Sequence, residues 1–362
     1  MKSFKQHIIW QGKQFLKEEL VAFLIKRKQQ KIEQWEHDIL VFTIDWLNDE
    51  ITTFQVNTSG STGNPKSISL SREQMKASAK ATAFALNLRA GDTALLVLPA
   101  QFIAGKMMIV RAIEIGMDLH YYPPQISTFS NIQQSFDFVA IIPLQLQYAL
   151  ENSLEKELYS CKKIIIGGAS LHKKYLKQLR FDKSQFFATY GMTETITHIA
   201  LKDLSKEEDC YYALPGISFE VNEQNCLQIT SDRLPQKITK TNDVVDLKSN
   251  KSFKLFGRAD NIINTGGLKV FPEIWEEQAV DVLDVPCLLT YIDDAKLGQK
   301  LVLLIESEES FISKEHILMK LSSIFPSNQL PKIFLYADKL ERNSNNKVDR
   351  AKNQKMASKL IK

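Results

Sequence analysis

Nine consecutive positions, Thr58-Ser-Gly-Ser-Thr-Gly-Asn-Pro-Lys66, hold the residue types that bind phosphate. Gly60 and Gly63 let backbone N–H groups turn toward an anion without a side chain in the way. The hydroxyls of Thr58, Ser59, Ser61 and Thr62 can donate to phosphate oxygens, and Lys66 adds a point charge. The run is not a Walker loop, which needs glycine directly before the lysine; Pro65 stands there. A second run, Tyr190-Gly-Met-Thr-Glu-Thr195, sets the Thr193 hydroxyl beside the Glu194 carboxylate, a pair able to hold Mg²⁺ and a phosphate oxygen. Gly167 and Gly168, followed by Ala169, offer bare backbone against which a flat ligand can lie. Each run alone has a plainer reading: a Ser/Gly linker, a capped helix start, a turn.

These residues need elements to carry them. Short apolar runs at 93–98, 136–142, 163–166 and 186–190 predict strands. Ser71 with Gln74 three residues on forms a capping-box pattern, and Met75, Ala79, Ala83 and Leu86 follow at helical spacing. Strand–helix alternation over about residues 70–190 predicts a largely parallel α/β sheet. After Tyr211 the texture changes, and runs at 217–221 and 227–230 flank Asn222-Glu-Gln-Asn225 as a hairpin would. Beyond a turn-rich stretch at 257–267, residues 272–283 and 313–324 predict helices, and 301–305 and 333–336 predict strands. The expected class is α/β. A large N-terminal domain, residues 1–257, combines mostly parallel sheet with a β-rich subdomain, and a small α+β C-terminal domain takes residues 258–362.

Further motifs follow in order: Thr241-Asn-Asp243, Gly257-Arg-Ala-Asp260, Asn264-Thr-Gly-Gly-Leu-Lys269 and Asn345-Asn-Lys-Val-Asp-Arg350. With these the chain resembles the adenylate-forming superfamily of acyl-CoA synthetases, adenylation domains and luciferases. The resemblance implies an acid:CoA ligase that uses ATP, Mg²⁺ and coenzyme A. It implies that the loop at 58–66 contacts pyrophosphate, and that Gly168 and Ala169 meet adenine. Gly167 and Gly191 would belong to the wall of the acyl pocket. Tyr190 would stack on adenine, Thr193 would meet the α-phosphate, and Glu194 would hold the metal. Asp243 would accept both ribose hydroxyls, and Arg258 would sit near ribose and phosphate. Asp260 would be the pivot of a mobile C-terminal domain. Gly266 and Gly267, with Lys269, would line the passage of the pantetheine arm. Lys347 would be the adenylation lysine, ahead of Lys332 and Lys339. Ser67, Asn242 and Asn346 stand where the family usually has glycine; asparagine keeps access to left-handed backbone.

Only 57 residues precede Thr58. That short front end, with Leu98-Pro-Ala-Gln-Phe-Ile-Ala-Gly105 and Arg111, resembles the o-succinylbenzoate–CoA ligases of menaquinone synthesis. Phe102 replaces that group's histidine, and His198 stands where its glutamine is usual. The implied acid has an aromatic ring and two carboxylates. One reacts, and the other needs a cationic or hydrogen-bonding partner. Arg111 and Lys106 are the candidate cations, Thr195 and Thr197 the neutral donors, and Phe102 and His198 complete the acyl set. Two other readings stand beside this one: a ligase for another aryl or acyl acid, and a nucleotide-binding scaffold without catalysis. The filled roles of Lys66, Glu194, Asp243, Arg258 and Lys347 favour an enzyme.

Composition limits the partners. A net charge of +4 over 362 residues is too modest for a nucleic-acid protein. No run is long enough to span a bilayer, and the N-terminus lacks a secretory pattern. Four cysteines without a CxxC pair argue against structural zinc or disulfides, so a cytoplasmic protein acting on small molecules is expected. A homodimer is compatible with all of this.

Overall fold

A computed structural model describes residues 7–57, 67–168, 171–308, 313–342 and 348–361. The chain opens on a hairpin, β1 (Ile8–Trp10) and β2 (Lys13–Phe15), followed by helices α1 (Lys17–Lys28) and α2 (Gln34–Leu47). A separate two-stranded sheet pairs β3 (Thr53–Asn57) with β4 (Ser67–Ser71). Asn57 pairs with Ser67, so the two ends of the glycine-rich run are fixed side by side; residues 58–66 lie outside the described residues.

Helix α3 (Arg72–Leu86) starts on the expected capping box: the Ser71 hydroxyl accepts the Gln74 N–H at 3.2 Å, and the Gln74 side chain accepts the Ser71 N–H at 2.9 Å. Arg72, buried at its first position, donates to the carbonyls of Trp46, Asn48 and Ile51 and so satisfies the end of α2.

Strands and helices then alternate: β5 (Thr93–Leu96), α4 (Ile103–Ile115), β6 (Asp118–Tyr121), β7 (Phe136–Ile141), α5 (Pro143–Glu151), α6 (Glu155–Leu158), β8 (Cys161–Ile166), α7 (Lys173–Leu176) and β9 (Gln185–Gly191). Their pairing is parallel in the order β1-β6-β5-β7-β8-β9, as the alternation predicts. From β9 onward the same sheet turns antiparallel through β10 (His198–Asp203), β11 (Tyr211–Ala213), β12 (Ser218–Val221), β13 (Cys226–Thr230), β14 (Ile238–Ser249) and β15 (Ser252–Arg258). The hairpin at Asn222–Asn225 is present: the Asn222 side chain accepts two backbone N–H groups, and Asn225 takes φ +58°.

The remaining strands form a second sheet and share none with the first. They are β16 (Ile263–Thr265), β17 (Leu268–Val270), β18 (Cys287–Asp294), β19 (Gly298–Glu306) and β20 (Ile333–Ala337), packed with α8 (Pro272–Leu283), α9 (Lys314–Ser322) and α10 (Arg350–Leu360). The changeover falls between Arg258 and Ile263. The opening hairpin, α1, α2, β6, β10 and β18 were not expected, although α2 buries Ile39, Leu40, Thr43, Trp46 and Leu47 at helical spacing. Among the described residues no helix is long and apolar enough to cross a membrane, and all four cysteines are buried and free.

Candidate active site

β14 and β15 pair so that Asp243 lies opposite Arg258. Tyr190, at the end of β9, donates its hydroxyl to Asp243 at 2.5 Å. The Arg258 guanidinium is 3.6 Å from the other Asp243 oxygen and 2.7 Å from Asp260, which also accepts two contacts from the Asn242 amide at 3.0 and 3.2 Å. Residues from three separate motifs thus form one network. Burial raises the Asp243 carboxyl above its usual value, while the Tyr190 hydroxyl and Arg258 pull it back. Asp260 is held below the carboxylate range by Arg258. The Tyr190 ring lies edge-on to Phe253 at 5.0 Å and tilted on Tyr211 at 5.8 Å. Its tie to this network is therefore its hydroxyl on Asp243.

The segment after β9 is sharply folded. Thr193 and Glu194 begin a single 3₁₀ turn, with Glu194 exposed and without a hydrogen bond among the described residues. Ile196 then takes φ +70° and ψ −61°, closing a γ-turn in which the Thr197 N–H reaches the Thr195 carbonyl at 2.8 Å. A β-branched residue there is strained, and such strain collects at functional sites. Thr195 was expected to face the acid. Instead it is buried, and its hydroxyl serves the backbone of Met192 and Thr197, which holds the turn. Gly191 is required by close packing: a Cβ there would lie 2.4 Å from the Thr197 carbonyl oxygen.

On α4, Arg111 is 3% exposed. Its Nη2 donates to the Thr197 hydroxyl at 3.1 Å, its Nη1 lies 3.7 Å from the Met108 sulfur, and its Nε has no partner among the described residues. Burial lowers its pKa to about 10. Thr197 meets His198 Nδ1 at 3.1 Å, and His198 Nε2 meets the Thr82 hydroxyl of α3 at 3.1 Å. Lys106 does not join Arg111. Five residues apart on a helix means about 140° of rotation, and Lys106 lies over the Phe42 ring with its ammonium 3.4 Å from the Gln55 carbonyl. Phe102, expected in the acyl set, is 42% exposed and stands at the N-cap of α4. Gly105 lets α4 pack on the segment after β5, since a Cβ would sit 2.3 Å from the Pro99 carbonyl oxygen.

Gly167 abuts the Thr189 hydroxyl, and Gly168 follows at φ +96°. Gly266 and Gly267 form the two-residue turn between β16 and β17, both with positive φ, and Lys269 is exposed beside them. Lys332 and Lys339 are exposed. Thr58–Lys66, Ala169 and Lys347 lie outside the described residues. Thr82 was missed by sequence reasoning; the signal was a hydroxyl on the buried stripe of α3, between Ala79 and Leu86.

A family model for AMP-binding enzymes matches residues 5–230, more than half of the chain. The chain belongs to the AMP-binding enzyme family. A solved structure described as an acyl-CoA synthetase (AMP-forming)/AMP-acid ligase II-like protein from Dyadobacter fermentans is 34% identical, covering 91% of this AMP-binding enzyme and 97% of that chain, with TM-score 0.61. A 2-succinylbenzoate–CoA ligase of Haemophilus influenzae is 23% identical over 294 residues, covering 76% of this chain; the chain spans 63% of that relative's length. An o-succinylbenzoate CoA synthetase from Bacillus subtilis, in complex with its acyl-adenylate intermediate, shares the fold at TM-score 0.76 and 15% identity, over 98% and 96% of the two chains.

Proposed function

We propose that this AMP-binding enzyme is an ATP-dependent acid:CoA ligase that forms an acyl-adenylate and then a CoA thioester, with o-succinylbenzoate as its acid. The observation that carries the substrate is Arg111: a buried guanidinium with no carboxylate among the described residues. Leaving a buried cation unpaired is costly, and a bound acid with a second carboxylate would offset that cost. Benzoate or a fatty acid would leave it uncompensated. The name of the Haemophilus influenzae relative supports the same acid; menaquinone synthesis in the cytoplasm is the setting proposed with it.

Two anions meet in the first half-reaction, so positioning and positive charge do most of the work. Lys66 and the N–H groups of its loop would hold the triphosphate, Asp243 and Arg258 the ribose, and Lys347 would bridge carboxylate and phosphate oxygens. Glu194 and Thr193 would hold Mg²⁺, which neutralises phosphate charge when bound. One exposed carboxylate fits a metal that takes its other ligands from ATP and water. In the second half-reaction the CoA thiol loses its proton and attacks the acyl carbon, the bond from that carbon to the phosphate oxygen breaks and AMP leaves, and Lys347 is not needed. The unit from residue 258 on would swing about Asp260 to present the Gly266–Gly267 edge.

The test is pyrophosphate release with o-succinylbenzoate, benzoate and a fatty acid, with and without CoA. Turnover confined to o-succinylbenzoate is expected. Robust turnover of benzoate without o-succinylbenzoate overturns the substrate.

A further inference from the structure

The hydrogen bonds around Arg111 continue past it in one line. The Thr82 hydroxyl donates to the Ser78 carbonyl at 3.1 Å, one turn back on α3, so its lone pair faces His198 Nε2. Nε2 must then carry the hydrogen. The His198 ring is neutral, because burial and the nearby Arg111 charge push it well below its ordinary value. Nδ1 is therefore bare and accepts the Thr197 hydroxyl, whose oxygen accepts Arg111 Nη2. Each hydroxyl and ring nitrogen has one assigned direction, from the guanidinium to the backbone of α3.

Four places in the chain contribute: α4, the strained turn at Ile196, β10 and α3. A guanidinium is planar, so fixing one nitrogen restricts where the rest of its fork can point. A stitch serving only stability would be expected to join the cation to a carboxylate. This line joins it to neutral groups, which leaves its charge for something else.

We infer that Thr82 and His198 are positioning residues that hold Arg111 through Thr197, and that this line sets the preference for an acid with a second carboxylate. The inference rests on the acid:CoA ligase reading and adds how its specificity is built. Thr82 and His198 do not touch the acid; they act through Arg111.

The experiment compares Thr82→Val, His198→Leu and His198→Gln, each alone and with Arg111→Ala, for KM of o-succinylbenzoate and of ATP and for melting temperature. Thr82→Val and His198→Leu are expected to raise the o-succinylbenzoate KM roughly tenfold, the weight of one hydrogen bond to a charged group, with the ATP KM unchanged. His198→Gln, which keeps a donor and an acceptor, should lose less. In the Arg111→Ala background none of the three should add a further loss. Additive losses, or both KM values rising together with a fall in melting temperature, overturn the inference. Imidazole nitrogen resonances at pH 7 give a readout that needs no substrate: the Nε2–H form of His198 supports the line, and an Nδ1–H or charged ring overturns it. If the wild-type enzyme prefers benzoate, the substrate reading falls; if it prefers o-succinylbenzoate and the variants keep that preference, the positioning role alone falls.

Discussion

Tyr190 and Asp243, 53 positions apart, meet through one hydrogen bond. In its proposed role Asp243 accepts a ribose hydroxyl on each oxygen, which needs the ionised carboxylate, and burial already works against that form. The Tyr190 hydroxyl opposes this effect by donating to the charged oxygen. Tyr190→Phe removes that donor and raises the Asp243 carboxyl further, so protonation intrudes at a higher pH. The expected result is an ATP KM about tenfold higher at neutral pH, the cost of one hydrogen bond to a charged group. The acid limb of kcat/KM for ATP should also move to higher pH. An acid limb that stays in place refutes the coupling. Sequence supplied both residues and their separate roles, but not the contact, since no spacing rule links positions so far apart.

At the scale of elements, the turn joining β9 to β10 carries the residues proposed for the acyl side. Gly191 pairs with His198 across that turn, and its missing Cβ makes room for the backbone of Thr197 and His198. Gly191→Ala must push backbone apart, at about 1–3 kcal/mol. It should lower the melting temperature and raise the acid KM together. Gly91→Ala offers a control: φ there is +86° with open space around it, so only backbone strain of about 1–2 kcal/mol is added. Its acid KM should match the wild type. If Gly191→Ala loses stability alone, the turn does not position the acyl residues. β9 was readable from its apolar run; β10 and the γ-turn were not, the turn because Thr195-Ile-Thr197 has no turn-forming composition.

For the whole molecule, among the described residues the two sheets are joined by a single crossing of the chain, the packing of Phe256 on Phe271 at 5.8 Å and of Glu273 against Gly257 beside it, and a few charged contacts. Lys173 of α7 reaches Glu277 and Asp281 of α8 at 3.4 and 3.8 Å, with His172–Asp281 at 3.8 Å and Lys174–Asp284 at 3.7 Å. Such pairs, partly in solvent, contribute about 0–1 kcal/mol each. A link of that strength suits the swing proposed for the smaller unit. Within the small unit, by contrast, Arg350 grips Glu276 with two hydrogen bonds of 2.9 and 2.6 Å, three residues beyond Lys347. That grip ties the start of α10 to α8, so the lysine would move with the whole unit. Lys347→Ala is expected to abolish acyl-adenylate formation and largely spare thioester formation from supplied adenylate. Equal loss of both steps refutes the division of labour.

Sequence alone determined the class of fold and the order of the motifs, because helical and strand periods, glycine pairs and capping patterns are local properties of the chain. It also named Arg111 among the candidate cations. Tertiary structure set Arg111 and Lys106 apart, since rotation around α4 buries the guanidinium near the strained turn and sends the ammonium toward Phe42. It likewise turned Thr195 from a ligand donor into a backbone clamp and brought Thr82 into the line. Burial and hydrogen-bond direction belong to groups that approach through space, and no local pattern encodes them.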